Sequence, residues 1–175
     1  MPKKLLKRLM PRQDQIMQNQ SMQLISSVLQ KADVWHFNRR YAARAVLIGV
    51  FCAFIPIPLQ MLLAAVICII VKANLPLSVA GVWITNPLTI APIFYSTYRL
   101  GALILDVPIT EFNIELSTAW MQQELSRIWQ PLLVGSLLCG VAFSAMAYTL
   151  VDFLWRWSTV KKWRLRQVRR KKRQQ

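Results

Sequence analysis

Between residues 42 and 105 the chain is apolar in two long blocks, and each block is cut by proline beside polar residues. The first, 42–71, is broken at Pro56 and Pro58; the second, 75–105, is split at Thr85-Asn86-Pro87. Lys72-Ala73-Asn74 forms a short polar break between them. As helix, 42–55 would measure about 21 Å and 59–71 about 20 Å, so neither half crosses a hydrocarbon core of about 30 Å. Two shapes fit the first block: a kinked, tilted single span, or a re-entrant hairpin turning at 55–59. In the second block, 87–105 is about 28 Å long and nearly spans alone. Residues 132–154 are the one uninterrupted apolar run, within a transmembrane helix expected over 131–155. Ser136, Gly140 and Ser144 fall there at i, i+4 and i+8. Such a small-residue stripe is a packing face for the chain's own broken helices, or for a second copy.

The pattern is amphipathic elsewhere. Leu5, Leu6 and Leu9 share a helical face ringed by Lys3, Lys4, Lys7 and Arg8, which suits an anionic membrane surface; Pro11 ends it. Asp14 can cap a helix reaching about residue 31, with Met17, Leu24, Ile25 and Val28 on one face. That helix lies at the interface or binds a partner. The run Trp35-His36-Phe37-Asn38-Arg39-Arg40-Tyr41 reads as an interfacial anchor. Residues 106–130 carry Asp106, Glu111, Glu115 and Glu124 against Arg127. Met121, Leu125 and Ile128 mark a short amphipathic helix there, expected to end at Pro131.

Charge turns these blocks into a topology. Of 22 basic residues in 175, nine lie in 1–44 and ten in 156–173; only Lys72, Arg99 and Arg127 fall between. A lipid-like middle with basic ends is expected of a small integral membrane protein, all-α, with proline-broken or re-entrant helices and one continuous transmembrane helix. Both ends belong on the cytoplasmic side, so crossings are even in number, and 106–130 is the external loop. A re-entrant first hairpin is favoured because Arg44 and Lys72 flank it. Three segments follow: a basic amphipathic part, 1–41; a membrane part, 42–155; and a basic tail, 156–175. Trp155, Trp157 and Trp163 place the start of that tail on anionic lipid headgroups. A nucleic-acid partner is not expected, since no recognition motif accompanies the charge. No secretory signal is read in the first residues, so the first spanning segment is expected to direct insertion.

Chemistry is sparse. Cys52, Cys68 and Cys139 lie inside apolar runs without metal spacing and read as small buried hydrophobes. His36 stands without a catalytic companion, the carboxylates are dispersed, and Asp152 pairs locally with Arg156 at i+4. Neither a metal, a cofactor nor an enzymatic activity is expected.

The ordered motifs W-H-x-N-R-R, G-x-F-x-x-F-I-P-I-P-x-Q-M, K-A-N-L-P and W-I-T-N-P-L-T-x-x-P-I-F-Y-x-x-Y-R-L-G resemble a bacterial membrane family catalogued as domain of unknown function twenty sixty-two. The likeness covers roughly residues 1–105. Lys72 stands where members often have arginine. The resemblance implies a small inner-membrane protein and assigns no activity.

The broken blocks define the candidate site. New helices are expected after Pro58 and Pro87, with Thr85 or Asn86 as N-cap. Two helix starts meeting inside a bilayer would suit an anionic or strongly hydrogen-bonding group. Gln60, Asn74, Thr85, Asn86 and Thr89 are expected to complete that site and Arg99 to add charge. The structural alternative is that Asn86 caps its own helix and Arg99 snorkels or pairs with Asp106. The expected activity is handling of an anionic lipid headgroup or small solute. The alternative is a scaffold or assembly protein that binds membrane partners.

Overall fold

A computed structural model describes residues 11, 15–16, 18, 20–23, 34–108 and 125–173. Among them there are five helices and no strands: α1 Arg39–Phe54, α2 Gln60–Val71, α3 Leu75–Val82, α4 Ile90–Leu105 and α5 Leu125–Arg173, besides a single helical turn at Gln20–Gln23.

Local chemistry sets the ends. Asn38 opens α1 by accepting the Tyr41 N–H at 3.0 Å. The helix stops at Phe54 because Ile55 precedes a proline and is held extended, at ψ 122°. Residues 55–59 form the turn into α2. That helix ends at Lys72, which adopts the left-handed conformation at φ 53° and turns the chain. Asn74 starts α3 by accepting the Leu77 N–H, and Pro76 occupies the first turn, where a missing N–H costs nothing.

Polar and glycine contacts give the topology. Arg44 near the start of α1 donates to the Val71 carbonyl at the end of α2 at 3.0 Å. Gln60 at the start of α2 donates to the Ile55 carbonyl at 2.6 Å. So α1 and α2 form an antiparallel hairpin. α3 runs parallel to α1: Asn74 meets Tyr41 and His36, Gly81 meets Gly49, and Thr85 reaches Ala53. The core of this three-helix unit is small, with Ala45, Ala64, Ala65, Cys52 and Cys68 fully buried. Both cysteines are free there, filling space as apolar groups.

α5 serves as the spine. It runs antiparallel to α4 and to α1, but at different heights. α4 covers its first part, with Gly101 against Pro131 and Thr97 against Gly135 and Ser136. α1 covers the next part. There Gly140 lies on Phe51 and Phe54, Phe54 stacks on Phe143 at 5.3 Å, and Arg39 pairs with Asp152 at 3.3 Å. Phe37 packs on Trp155 at 5.5 Å. From Pro131 to Asp152 is about 32 Å of helix, and the level of Gly140 to Phe143 lies halfway. The turns at 55–59 and 83–89 therefore sit near mid-height, where α1 and α3 end and α4 begins.

Among the described residues one helical stretch, Ile128–Lys161 of α5, is long and apolar enough to cross a membrane. Its outer side exposes Leu137, Leu138, Val141, Met146 and Phe153; α2 and α4 expose Ile70 and Leu103, each at 74%, and the turn before α4 exposes Leu88 at 88%.

Several expectations change. The helix expected to stop at Pro131 passes through it. Proline forfeits one backbone hydrogen bond, but buried Ile128 and Leu132 pack with Tyr98 and Ala102 and hold the turn. No break separates the span from the basic tail, since α5 continues to Arg173. Pro58 is not the first residue of α2, which begins two residues later at Gln60 behind Leu59. The Ser136/Gly140/Ser144 stripe faces this chain's own α4 and α1 at its first two members, and Ser144 is buried too. The Asp152–Arg156 pair forms at 2.7 Å, and Arg39 joins it, a link across 113 residues that spacing alone did not offer. Near the N-terminus, Ile16 and Met22 are buried in the α1–α3 core. The face expected from Met17, Leu24, Ile25 and Val28, the opening helix at 3–9 and the amphipathic helix ahead of residue 125 lie outside the described residues.

Asp152 is the hinge of that charge cluster. Asp152→Asn removes the charge facing both Arg39 and Arg156. It is expected to lower the thermal unfolding midpoint in detergent modestly, with an effect that shrinks in high salt. An unchanged midpoint at low salt would show that the triad contributes nothing.

Candidate functional site

The two proline turns meet. Pro58, Leu59, Gln60 and Met61 from one, and Val82, Trp83, Thr85, Asn86 and Pro87 from the other, line an open cleft of about 300 Å³. Gln60 joins the turns. Its amide donates to the Ile55 carbonyl, and its oxygen lies 3.2 Å from the Thr85 hydroxyl. Thr85 has one proton for three acceptors within 3.2 Å: Gln60, the Ala53 carbonyl and the Val82 carbonyl. The hydroxyl can switch among them, and an incoming acceptor can compete for it.

Asn86 is occupied by its own turn. Its side-chain oxygen accepts from Leu88 N at 2.9 Å and Thr89 N at 3.2 Å, and its carbonyl accepts from Ile90 N. These bonds close the turn ahead of α4: the helix begins at Ile90 with Thr89 at its N-cap position and no side-chain cap, so Pro87 lies in the turn and not in the first helical turn, and neither Thr85 nor Asn86 is the N-cap that the sequence suggests. Thr89 closes the same turn: its hydroxyl donates to Ile84 O at 2.6 Å and accepts from Asn86 N. At the start of α2 the N-cap is Leu59, which offers no side-chain acceptor, so that end is uncapped from within.

Two expected site residues lie elsewhere. Asn74 is fully buried at the opposite end of α3, about 12 Å of helix away, holding the Trp35 and His36 carbonyls. Its type suits N-capping as well as ligand binding, and the cap is what the K-A-N-L-P run builds. Arg99 stands two and a half turns along α4 from the cleft, exposed, with its guanidinium 5.9 Å from the centre of the Tyr95 ring. Charge is thus missing from the cleft, and the lining is neutral: Gln60, Thr85 and Asn86 among apolar side chains. Trp83 and Leu59, exposed at its rim, were not anticipated as site residues. No group of His, Cys, Asp and Glu among the described residues is arranged to hold a metal.

The fold defines a class: an all-helical protein in which broken helices dock at staggered heights on one long apolar helix. Within that class, the chain belongs to the family described as uncharacterized protein conserved in bacteria, DUF2062, matched over residues 22–164. The match takes in α5 as far as residue 164, which the ordered motifs at 1–105 did not reach. No curated protein and no solved structure matches the chain.

Proposed function

We propose that this is an integral protein of the bacterial inner membrane that binds a small hydrogen-bonding group, from a solute or a lipid, in the cleft between its two proline turns. Both termini face the cytoplasm. α1 and α2 form a re-entrant hairpin, α3 and α4 make one interrupted crossing, and α5 returns. The observation that carries this reading is the convergence of both turns at half-height on an apolar helix about 50 Å long. Irregular backbone at such a depth is tolerated where protein or a polar cavity satisfies it. The exposed apolar side chains of α2, α4 and α5 then face lipid instead of water. A neutral lining favours a neutral polar group over a free anion, so the expectation of an anionic ligand at this site narrows.

The test pairs depth with binding. In a background lacking the native cysteines, Leu88→Cys should resist a membrane-impermeant maleimide in intact membranes and react after detergent is added. Native mass spectrometry of gently purified protein should show a small bound molecule, which Gln60→Leu with Thr85→Val removes by about tenfold, the size expected for lost buried polar contacts. Labelling of Leu88→Cys in intact membranes from either side would overturn the topology, and an unchanged adduct would overturn the site.

One observation favours the scaffold reading: Asn86 and Thr89 are already consumed by their own turn. Under it the cleft variants are silent, and a crosslinked membrane partner persists in them.

A further inference from the structure

We propose that the seam between α1 and α2, at the end of the bundle that holds the Arg39–Asp152 pair, binds the phosphate of an anionic phospholipid through Arg40, Arg44 and Lys72. This rests on the membrane reading above but not on the cleft. Arg40 and Arg44 are one turn apart on α1, and both are exposed. The Arg44 guanidinium is pinned over the end of α2 by its 3.0 Å bond to Val71 O. Lys72, exposed and in the left-handed conformation, follows immediately. Three cations thus share one rim.

Nothing described neutralises them. The carboxylates among the described residues are Asp106, at the far end of α4, and Asp152, which Arg39 and Arg156 hold at 3.3 and 2.7 Å. Clustered cations repel one another and favour a shared anion, and a guanidinium offers forked donors to a phosphate.

The surface next to the rim selects the source of that anion. From Arg44 towards mid-height, α1 exposes Leu47, while α2 exposes Ile70 at 74% and Val66 at 40%. A cationic rim above an apolar rail matches a phosphate above an acyl chain. A water-soluble phosphate has no use for the rail, and an acidic protein surface would leave it bare. The rim also lies at the depth of Arg39, Asp152 and the Phe37–Trp155 contact, where headgroups meet the aromatic belt.

The test titrates the full-length protein in detergent with phosphatidylglycerol and with phosphatidylcholine of the same chains, read by native mass spectrometry. Wild type should retain phosphatidylglycerol preferentially. The double variant R44Q/K72Q should weaken that retention by about tenfold or more, since each cation near an anionic surface contributes roughly a factor of five. R40Q, at a side chain with no hydrogen bond among the described residues, should weaken it about fivefold and guards against misfolding of the double variant. R169Q/R170Q on the tail should leave retention unchanged.

Equal retention in wild type, R40Q and R44Q/K72Q overturns the site. Equal loss in the tail variant reduces it to unspecific charge attraction and overturns it too. Glycerol phosphate binding as tightly as the lipid overturns the lipid assignment. R44Q/K72Q leaves the cleft lining untouched, so failure at the seam with the cleft adduct intact sinks this inference alone.

Discussion

Gly101→Ala and Gly135→Ala are each expected to destabilise the protein severely, and Gly140→Ala is expected to be nearly neutral. A Cβ on Gly101 would fall 1.8 Å from the Pro131 carbonyl oxygen, and one on Gly135 would fall 1.8 Å from the Thr97 carbonyl oxygen. Both obstacles are backbone atoms of the facing helix, so no rotamer change relieves them. The helices must move apart, which also stretches the buried Ser136–Thr97 hydrogen bond at 3.2 Å. Overpacking costs about 1–3 kcal/mol where side chains can adjust, and this case lies at or beyond the upper end. Intrinsic preference points the other way, because alanine is favoured over glycine in a helix by about 1 kcal/mol. The sign of the result therefore decides whether α4 lies directly on α5. At Gly140 the nearest atoms are side-chain carbons of Phe51 and Phe54 at 3.3 Å, which can yield by a few tenths of an ångström. Thermal unfolding in detergent would measure all three. A Gly101→Ala protein as stable as wild type would rule out the α4–α5 contact.

That contact shows where reading the sequence stops. Ser136, Gly140 and Ser144 were visible as a stripe because they repeat on one helix. The close backbone approach of Gly101 to Pro131 and of Gly135 to Thr97 could not be read, because the members lie on different helices and nothing local pairs them. The proline breaks were legible for the opposite reason. Proline acts on its own residue and the one before it, so Ile55–Pro56 and Asn86–Pro87 carry their geometry with them. The same locality explains Asn86, whose hydrogen-bonded turn closes within four residues. Gln60 and Thr85 were legible as polar residues in apolar runs, and their meeting needed the hairpin. Asn74 was assigned to the same site because it is polar beside an apolar run, and Arg99 because it would add charge. What separated them was height along α5, a property that no periodicity encodes. Pro131 misled because proline in the early turns of a helix costs a bond without ending it when the neighbouring turn is packed, as Ile128 and Leu132 are.

Asn74→Ala is the second large effect expected, and it tests the reassignment of that residue directly. The side chain is fully buried and uses both ends of its amide. Its oxygen caps α3 through Leu77 N at 3.0 Å, and its nitrogen donates to His36 O at 3.0 Å and, more weakly, to Trp35 O at 3.4 Å. Alanine removes the cap, worth about 1 kcal/mol, and takes the donor from two part-buried carbonyls at about 1 kcal/mol each, for a total of about 3 kcal/mol. Asn74→Asp separates the two roles. It preserves the capping acceptor but turns a second oxygen towards the Trp35 and His36 carbonyls. If capping alone matters, aspartate should restore the thermal midpoint of wild type. If the amide's donor is what ties the segment before α1 to the start of α3, aspartate should be at least as damaging as alanine, and hydrogen exchange at Leu75 N, which bonds Val34 O at 2.9 Å, should accelerate in both variants. A ligand-binding asparagine would behave differently again. Its alanine variant would hold the wild-type midpoint and exchange pattern and lose only the bound molecule, returning Asn74 to the functional site.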